Sequence, residues 1–335
     1  MSRPRNTFRI YPIVADSGTF GFGGEGYWWH WIASPFIIWL RWFGTFASKT
    51  VTAEGREGNM PLNADGTPRE RFPRCVFLDW KRWLKGGMLN AVSLSNFGVL
   101  VHLALNGWLH RKRSWMLSFM TVGETIEEKL EESRRFVDVI KLFLQHFQRL
   151  PIIVLNISCP NTGEELDFWD QNVHRILDVL AELGLAVIVK VSVDMPVKQV
   201  KIIASHQACT GIQVTNTLHW TKLPESILRR VFPDTWNEDI GGWVSPLLTF
   251  GGGGYSGKDL LPIVLRWVRG ARDAGIEKFI IAGGGIFSPR DVWRLREAGA
   301  NAVSIASPVI LRPHMVPLIV LAAWLYDFFH ERNVS

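Results

Sequence analysis

Apolar residues in this chain fall into short continuous runs separated by longer stretches of helical or loop character. Runs at residues 11–15, 45–49, 116–121, 152–157, 186–191, 211–214, 278–282 and 302–305 have the length and continuity of strands buried on both faces. Helical signals fall between them. Thr125 and Glu128 form a capping-box pattern that predicts a helix to about residue 148. Ser288, Pro289 and Asp291 start another, which Gly299 is placed to end. Residues 264–274 have helical character, and 316–331 read as an amphipathic last helix. Strands alternating with helices imply right-handed βαβ units and a parallel sheet. Eight such units predict an α/β fold, a (β/α)8 TIM barrel whose site lies at the C-terminal ends of its strands. Two stretches exceed a minimal barrel: 50–100 after the second strand and 221–251 after the sixth. Loops of that length usually serve as lids or subunit contacts.

Composition narrows the class. A chain of 335 residues suits one barrel domain with insertions, and no internal repeat or interdomain linker is visible. Hydrophobic content of 47% with 20% charged residues excludes a disordered chain. The net charge of +6 favours an anionic ligand but is too small to single one out. Three widely spaced cysteines, Cys75, Cys159 and Cys209, show neither zinc spacing nor a disulfide framework, so a reducing, cytoplasmic setting and no metal are expected. Three arginines within the first ten residues precede no apolar stretch, so no cleaved signal peptide is expected. Of 16 tryptophans, five lie between Trp28 and Trp42. The segment from Trp28 to Phe43 is too short and interrupted to span a bilayer. It fits core or subunit contact, or a membrane interface, where Trp is favoured.

The chemistry gathers around L-N-I-S-C-P-N-T, residues 155–162, which closes the fourth apolar run. Asn156 and Asn161 flank Cys159, and Pro160 stiffens the turn. Amides that donate and accept suit a planar heterocycle, and a thiol can take a proton once ionised. Taken alone, the same residues also describe a buried structural cysteine beside turn asparagines. Ser17 to Gly23, S-G-T-F-G-F-G, follows the first strand, and its glycines let backbone approach a flat ligand. Lys49 ends the second run, and Lys190 stands one residue before the end of the fifth. Glycine-rich stretches at 251–257 and 283–285, with Ala306 and Ser307 after the eighth strand, can cradle a phosphate.

The octapeptide resembles the catalytic turn of the dihydroorotate dehydrogenases, FMN-binding (β/α)8 barrels. The resemblance extends to the Ser17–Gly23 turn, to the spacing from Lys49 to Arg56-Glu57-Gly58-Asn59, and to M-L-N-A-V-S-L-S-N-F-G from Met88. It covers residues 17–308 and is poorest in 27–43, 100–115 and 221–249. It implies Cys159 as catalytic base, as in the soluble class, where the membrane quinone-linked class has serine. It implies substrate contacts from Lys49, Asn90, Asn156, Asn161, Asn216 and Thr217. FMN contacts are implied for Ser17, Gly18, Lys49, Lys190, Ser256, Gly257, Gly284, Gly285, Ala306 and Ser307. Asp16, Ser93 and Phe97 depart from the family's usual Ala, Gly and Pro.

The implied activity is oxidation of dihydroorotate to orotate in pyrimidine biosynthesis by a homo-oligomer. The acceptor stays open between fumarate, NAD through an iron–sulfur flavoprotein partner subunit, and quinone. The wording of the motifs leans to the partner-dependent subtype. The Trp-rich segment and His110-Arg111-Lys112-Arg113 leave room for peripheral membrane contact. Two other functions compete. Flavin reduction of uridine in tRNA would suit a basic chain, yet no RNA-binding domain follows Pro313 and the basic residues are dispersed, so no nucleic-acid partner is expected. A non-catalytic flavin-binding interaction subunit would not need the lysine, cysteine and asparagine set.

Overall fold

The computed structural model describes residues 9–79, 86–105, 107–157, 166–214 and 217–331. Eight strands close into a parallel barrel. They are β1 (Ile13–Ala15), β2 (Thr45–Ala47), β3 (Trp115–Phe119), β4 (Ile152–Asn156), β5 (Val187–Val191), β6 (Cys209–Val214), β7 (Phe279–Gly283) and β8 (Ala302–Ile305). Each falls on an expected run. β2 ends two residues before Lys49, which therefore sits in the loop above the strand. β1 pairs with β8, Ile13 opposite Val303, so the first and last strands seal the barrel.

Side chains alternate along each strand. One set (Ile13, Leu117, Phe119, Ile153, Leu155, Val187, Val189 and Val303 among them) joins the large core under the helices. The other set fills the barrel. Its lower layer is apolar: Val14, Ala47, Met116, Val154, Ile188, Ile281 and Ala302 form a separate cluster. Two residues further up, the inward position becomes polar on five of the strands. Val14 gives way to Asp16, Met116 to Ser118, Val154 to Asn156, Ile188 to Lys190, and Ala302 to Ser304. All five polar residues are buried, so each needs a partner or a ligand.

The outer ring includes α1 (His30–Phe43), α2 (Ile126–Phe143), α3 (Leu166–Ala181), α4 (Val197–Ser205), α5 (Leu261–Asp273), α6 (Pro289–Glu297) and α7 (Val316–Glu331). The capping box forms: Thr125 accepts from the Glu128 N–H, and Glu128 reaches back to the Thr125 N–H. Phe136 of α2 stacks on Phe119 of β3 at 3.9 Å, fixing helix to strand. Ser288 does not cap α6 with its side chain; instead the Asp291 carboxylate accepts from the Phe287 N–H at 3.0 Å. The expectation of an amphipathic last helix also needs correction. α7 buries Val316, Ile319, Val320 and Ala323, but Leu318, Leu321, Leu325, Phe328 and Phe329 on its other side are exposed. Among the described residues, no helix is long and apolar enough to cross a membrane.

The two long excursions meet above the barrel. Val76–Phe77 and Gly87–Asn90 from the first pair antiparallel with Gly254–Gly257 and Leu218–His219, which flank the second. This four-stranded sheet stands beside the strand ends and carries Asn90 and Ser256 to the same cavity.

Candidate functional site

The polar upper layer is tied together across the barrel. Asp16, just past β1, reaches Lys190 on β5, on the opposite wall, with Nζ 3.0 Å from Oδ1. The same oxygen accepts from Gln213 Nε2 of β6 at 2.9 Å and from the Ser17 N–H at 2.7 Å. A second chain of contacts runs through hydroxyls. Ser17 Oγ donates to the Ser48 carbonyl and lies 3.2 Å from Thr50 Oγ1, which is 2.8 Å from Ser118 Oγ. Asn156 Nδ2 donates to Thr50 Oγ1 at 3.3 Å. These bonds link the ends of β1 to β4 and set the orientation of the Asn156 amide.

Lys49 is placed differently from Lys190. Its ammonium donates to the Ser95 carbonyl at 3.2 Å and lies 4.6 Å from the centre of the Phe22 ring. Among the described residues no carboxylate forms an ion pair with it. Burial lowers its pKa from 10.5 to about 8, with Cys75 and Glu25 opposing weakly. An ammonium with so few protein partners is a site for an anion.

The loop that carries Lys49's neighbours is held by close backbone contact. Gly58 packs where a Cβ would lie 2.5 Å from both the Ser93 carbonyl and Ser95 Oγ. Asn59 donates to the Ala91 carbonyl at 2.7 Å and to Ser93 Oγ at 3.0 Å. Ser93 has φ 55 and Leu94 φ 59, a left-handed turn that glycine would make without strain. Serine at 93 adopts this turn at a conformational cost of roughly 1–3 kcal/mol. Its hydroxyl contact with Asn59 offsets part of that cost. Phe97 lies in the short pair of Asn96–Phe97 with Gly55–Arg56, half-exposed and away from the cavity.

The turn after β1 is fixed from both sides. The Glu25 carboxylate accepts from the Phe22 and Gly23 N–H groups, and Arg111, stacked over Phe46 and Trp108, donates to the Gly23 carbonyl. The Tyr27 hydroxyl donates to the Gly18 carbonyl at 2.8 Å. Gly18 has φ 82 and nothing within 4 Å of where a Cβ would stand. Its open side faces a cavity of about 1050 Å³. At the far wall Gly285 has φ 79, and a Cβ there would come 2.4 Å from the Leu261 nitrogen. Only glycine lets that backbone form the wall.

This one cavity gathers the expected residues within the described chain. Ser17, Gly18, Lys49, Asn90, Asn156, Lys190, Thr217, Ser256, Gly257, Gly284, Gly285, Ala306 and Ser307 all line it. Cys159, Asn161 and Asn216 lie outside the described residues. Reading the sequence missed Thr50, Ser118, Gln213 and Ser304. A signal was available for two of them: Ser118 and Ser304 occupy the upper inward position of a strand, as Asn156 and Lys190 do. Ser304 Oγ is buried at the cavity wall without a hydrogen-bond partner, as a group awaiting a ligand would be.

The family model for dihydroorotate dehydrogenase matches residues 10–320. The catalytic subunit of dihydroorotate dehydrogenase B (NAD(+)) from Endomicrobium trichonymphae is 27% identical over 327 residues, covering 97% of this chain and 90% of that protein. The protein of the same name from Anoxybacillus flavithermus is 29% identical, covering 92% of this chain and 85% of its own length. Among solved structures, the DHODH of Eimeria tenella in complex with ferulenol superposes with a TM-score of 0.63 at 18% identity, covering 96% of this chain and 82% of that one, a likeness of fold. The eight strands, both excursions and the cavity at the strand ends all fall within the matched span, and the chain belongs to the dihydroorotate dehydrogenase family.

Proposed function

We propose that the protein oxidises dihydroorotate to orotate with bound FMN, within one barrel domain formed by the whole chain. The observation that carries this reading is the cavity itself. Amide, hydroxyl and ammonium groups from Lys49, Asn90, Asn156 and Thr217 share it with the glycine turns at 18, 257 and 284–285. The residues fit FMN: the open side of Gly18 admits close approach, the Ser304 hydroxyl has no protein partner among the described residues, and Ser307 starts a short helix at the phosphate position usual in such barrels.

Gly18, Ser256, Gly257, Gly284, Gly285, Ala306 and Ser307 would hold the cofactor, with Lys190 beside its ring. Bound FMN supplies the two-electron acceptor for the hydride that leaves C6. The chain's own residues do the rest. Lys49 holds an anionic substrate through its ammonium, and Asn90, Asn156, Asn161, Asn216 and Thr217 fix the pyrimidine edges. Holding the reacting atoms in register is the main contribution of these groups. Cys159, three residues past Asn156, takes the C5 proton as thiolate, so that the C5–C6 double bond forms as proton and hydride depart.

The relatives' name, catalytic subunit of an NAD(+) type, supports a partner subunit that passes electrons onward, for which an iron–sulfur flavoprotein is the proposal. The experiment is anaerobic. Purified protein should be yellow and release FMN on denaturation, and dihydroorotate should bleach it while orotate forms. Folded protein that takes up no FMN, or that holds FMN unreduced by dihydroorotate, would refute the reading.

A further inference from the structure

α1 is buried on one narrow stripe, His30, Ala33, Ile37 and Leu40, against the barrel. A surface helix normally turns polar residues outward. Here the outward side carries Trp31, Ile32, Phe36, Trp39, Trp42 and Phe43, all exposed, with Trp31 at 73% and Trp42 at 59%. Only Ser34 and Arg41 interrupt it, and α1 has no acidic residue. α7 packs alongside α1 and adds its own exposed leucines and phenylalanines. Trp324 of α7 ties the two by donating from Nε1 to the Phe43 carbonyl at 3.0 Å. Phe72, 63% exposed, meets Trp28 edge-on at 5.2 Å and extends the surface to the cavity entrance, which both residues line. Patches of this extent seldom stay bare in water.

We propose that this face docks the protein on the surface of an anionic lipid bilayer. The charges around it argue for that occupant. Arg71 lies 4.1 Å over the Trp28 ring at one end, and Arg113 lies 5.2 Å over Trp42 at the other, beside exposed Lys112. Among the described residues none of these three cations has a carboxylate partner. The acids nearby are already engaged: Asp327 with Arg296, Glu70 with Arg74, and Glu25 with backbone N–H groups. The rim is therefore left with uncompensated positive charge, which anionic headgroups complement. Tryptophan is the side chain favoured at headgroup depth, where the ring is apolar and the indole N–H stays wet. The indoles of Trp31, Trp39 and Trp42 have no hydrogen-bond partner among the described residues. At 14 residues α1 is about 21 Å long, well short of a hydrocarbon core of about 30 Å. It would lie flat, its rings sunk roughly 5–10 Å into the interface. Docked this way, the cavity entrance at Trp28 and Phe72 meets the membrane plane.

Vesicle flotation of the full-length protein tests the proposal independently of its enzymatic activity. Phosphatidylcholine vesicles containing phosphatidylglycerol should carry the protein upward, with a blue shift of its tryptophan emission. Pure phosphatidylcholine vesicles should bind about tenfold less. Trp31→Glu with Trp42→Glu should abolish flotation while thermal melting is unchanged, because both side chains are solvent-exposed. Lys112→Glu with Arg113→Glu should remove the preference for phosphatidylglycerol even if the tryptophan variant proves unstable. Protein that stays at the bottom of the gradient with both vesicle types overturns the proposal. So does a dimer in light scattering that the tryptophan substitutions dissociate, or a stoichiometric complex with a partner subunit that buries the same residues and blocks flotation.

Discussion

Raising the pH should switch off Lys49 and weaken binding of orotate, an anion. The ammonium's pKa is lowered by burial to about 8. In the unliganded site it is therefore about nine-tenths charged at about pH 7 and about one-tenth charged at about pH 9. If the anion needs the charged form, orotate Kd should rise about tenfold across that range, about 1.4 kcal/mol of binding free energy. The sign for stability is opposite. Between about 8 and 10.5 the unfolded chain holds the extra proton, so this group alone makes the folded state more stable as pH rises. Loss of affinity thus cannot be attributed to Lys49-linked unfolding. The assay is titration of the flavin spectrum with orotate at a series of pH values, for wild type and for Lys49→Met. Subtracting the variant removes titrations of the ligand and of other residues. The variant should bind weakly at neutral pH and lose the step near pH 8. A wild-type affinity flat from pH 7 to 9, or a step that survives in Lys49→Met, would refute the assignment of Lys49 as the anion's partner.

Other outcomes follow from the same site. Cys159→Ser should slow flavin reduction by dihydroorotate by orders of magnitude in rapid-mixing experiments and leave orotate affinity largely intact. Cys75→Ser and Cys209→Ser should reduce flavin at near-normal rates, since both thiols are buried and burial raises their pKa to about 11, where they stay protonated. Asp16→Asn frees the Lys190 charge and should raise the reduction potential of bound flavin by about 30 mV or more, a tenfold shift for a two-electron couple. Lys190→Gln should lower it and the double variant should return towards wild type; spectroelectrochemical values that ignore charge would count against the pair as a tuning device. Gly285→Ala must adopt φ 79 with its Cβ pressed on Leu261, so it should lower Tm by several degrees and reduce the FMN that co-purifies.

The barrel was legible because its strands are continuous apolar runs, and the site because the last inward residue of several runs is polar. Asn156 and Lys190 stand out against Ile152–Leu155 and Val187–Val189 with no structure at hand. The contact between Asp16 and Lys190 was not legible. It joins residues 174 apart across a closed barrel, and no local pattern encodes which opposite wall a side chain faces. The antiparallel sheet was equally hidden, since its strands are two to four residues long, too short to show a period. Thr50 and Gln213 look like ordinary polar residues until closure brings Ser17, Ser118 and Asp16 beside them. In α7 the apolar pattern predicts a helix correctly, but the side facing out is as apolar as the side facing in.

The seam between β1 and β8 has a consequence for how the chain is made. Ile13 pairs with Val303, so the contact that completes the barrel joins residues 290 apart in sequence. Closure entropy grows only slowly with loop length, but a contact this distant cannot form until the ribosome has released β8. Through most of synthesis β1 and the latest strand to emerge present bare edges, while α1 lacks the packing partner that α7 later supplies. Such topologies fold slowly and expose sticky surface as they do so. Yields from rapid expression should therefore improve with lower temperature or added chaperones. A circular permutant opened in the 232–244 hairpin region, with the native termini joined, would bring the β1–β8 seam together early and should refold faster than the natural order.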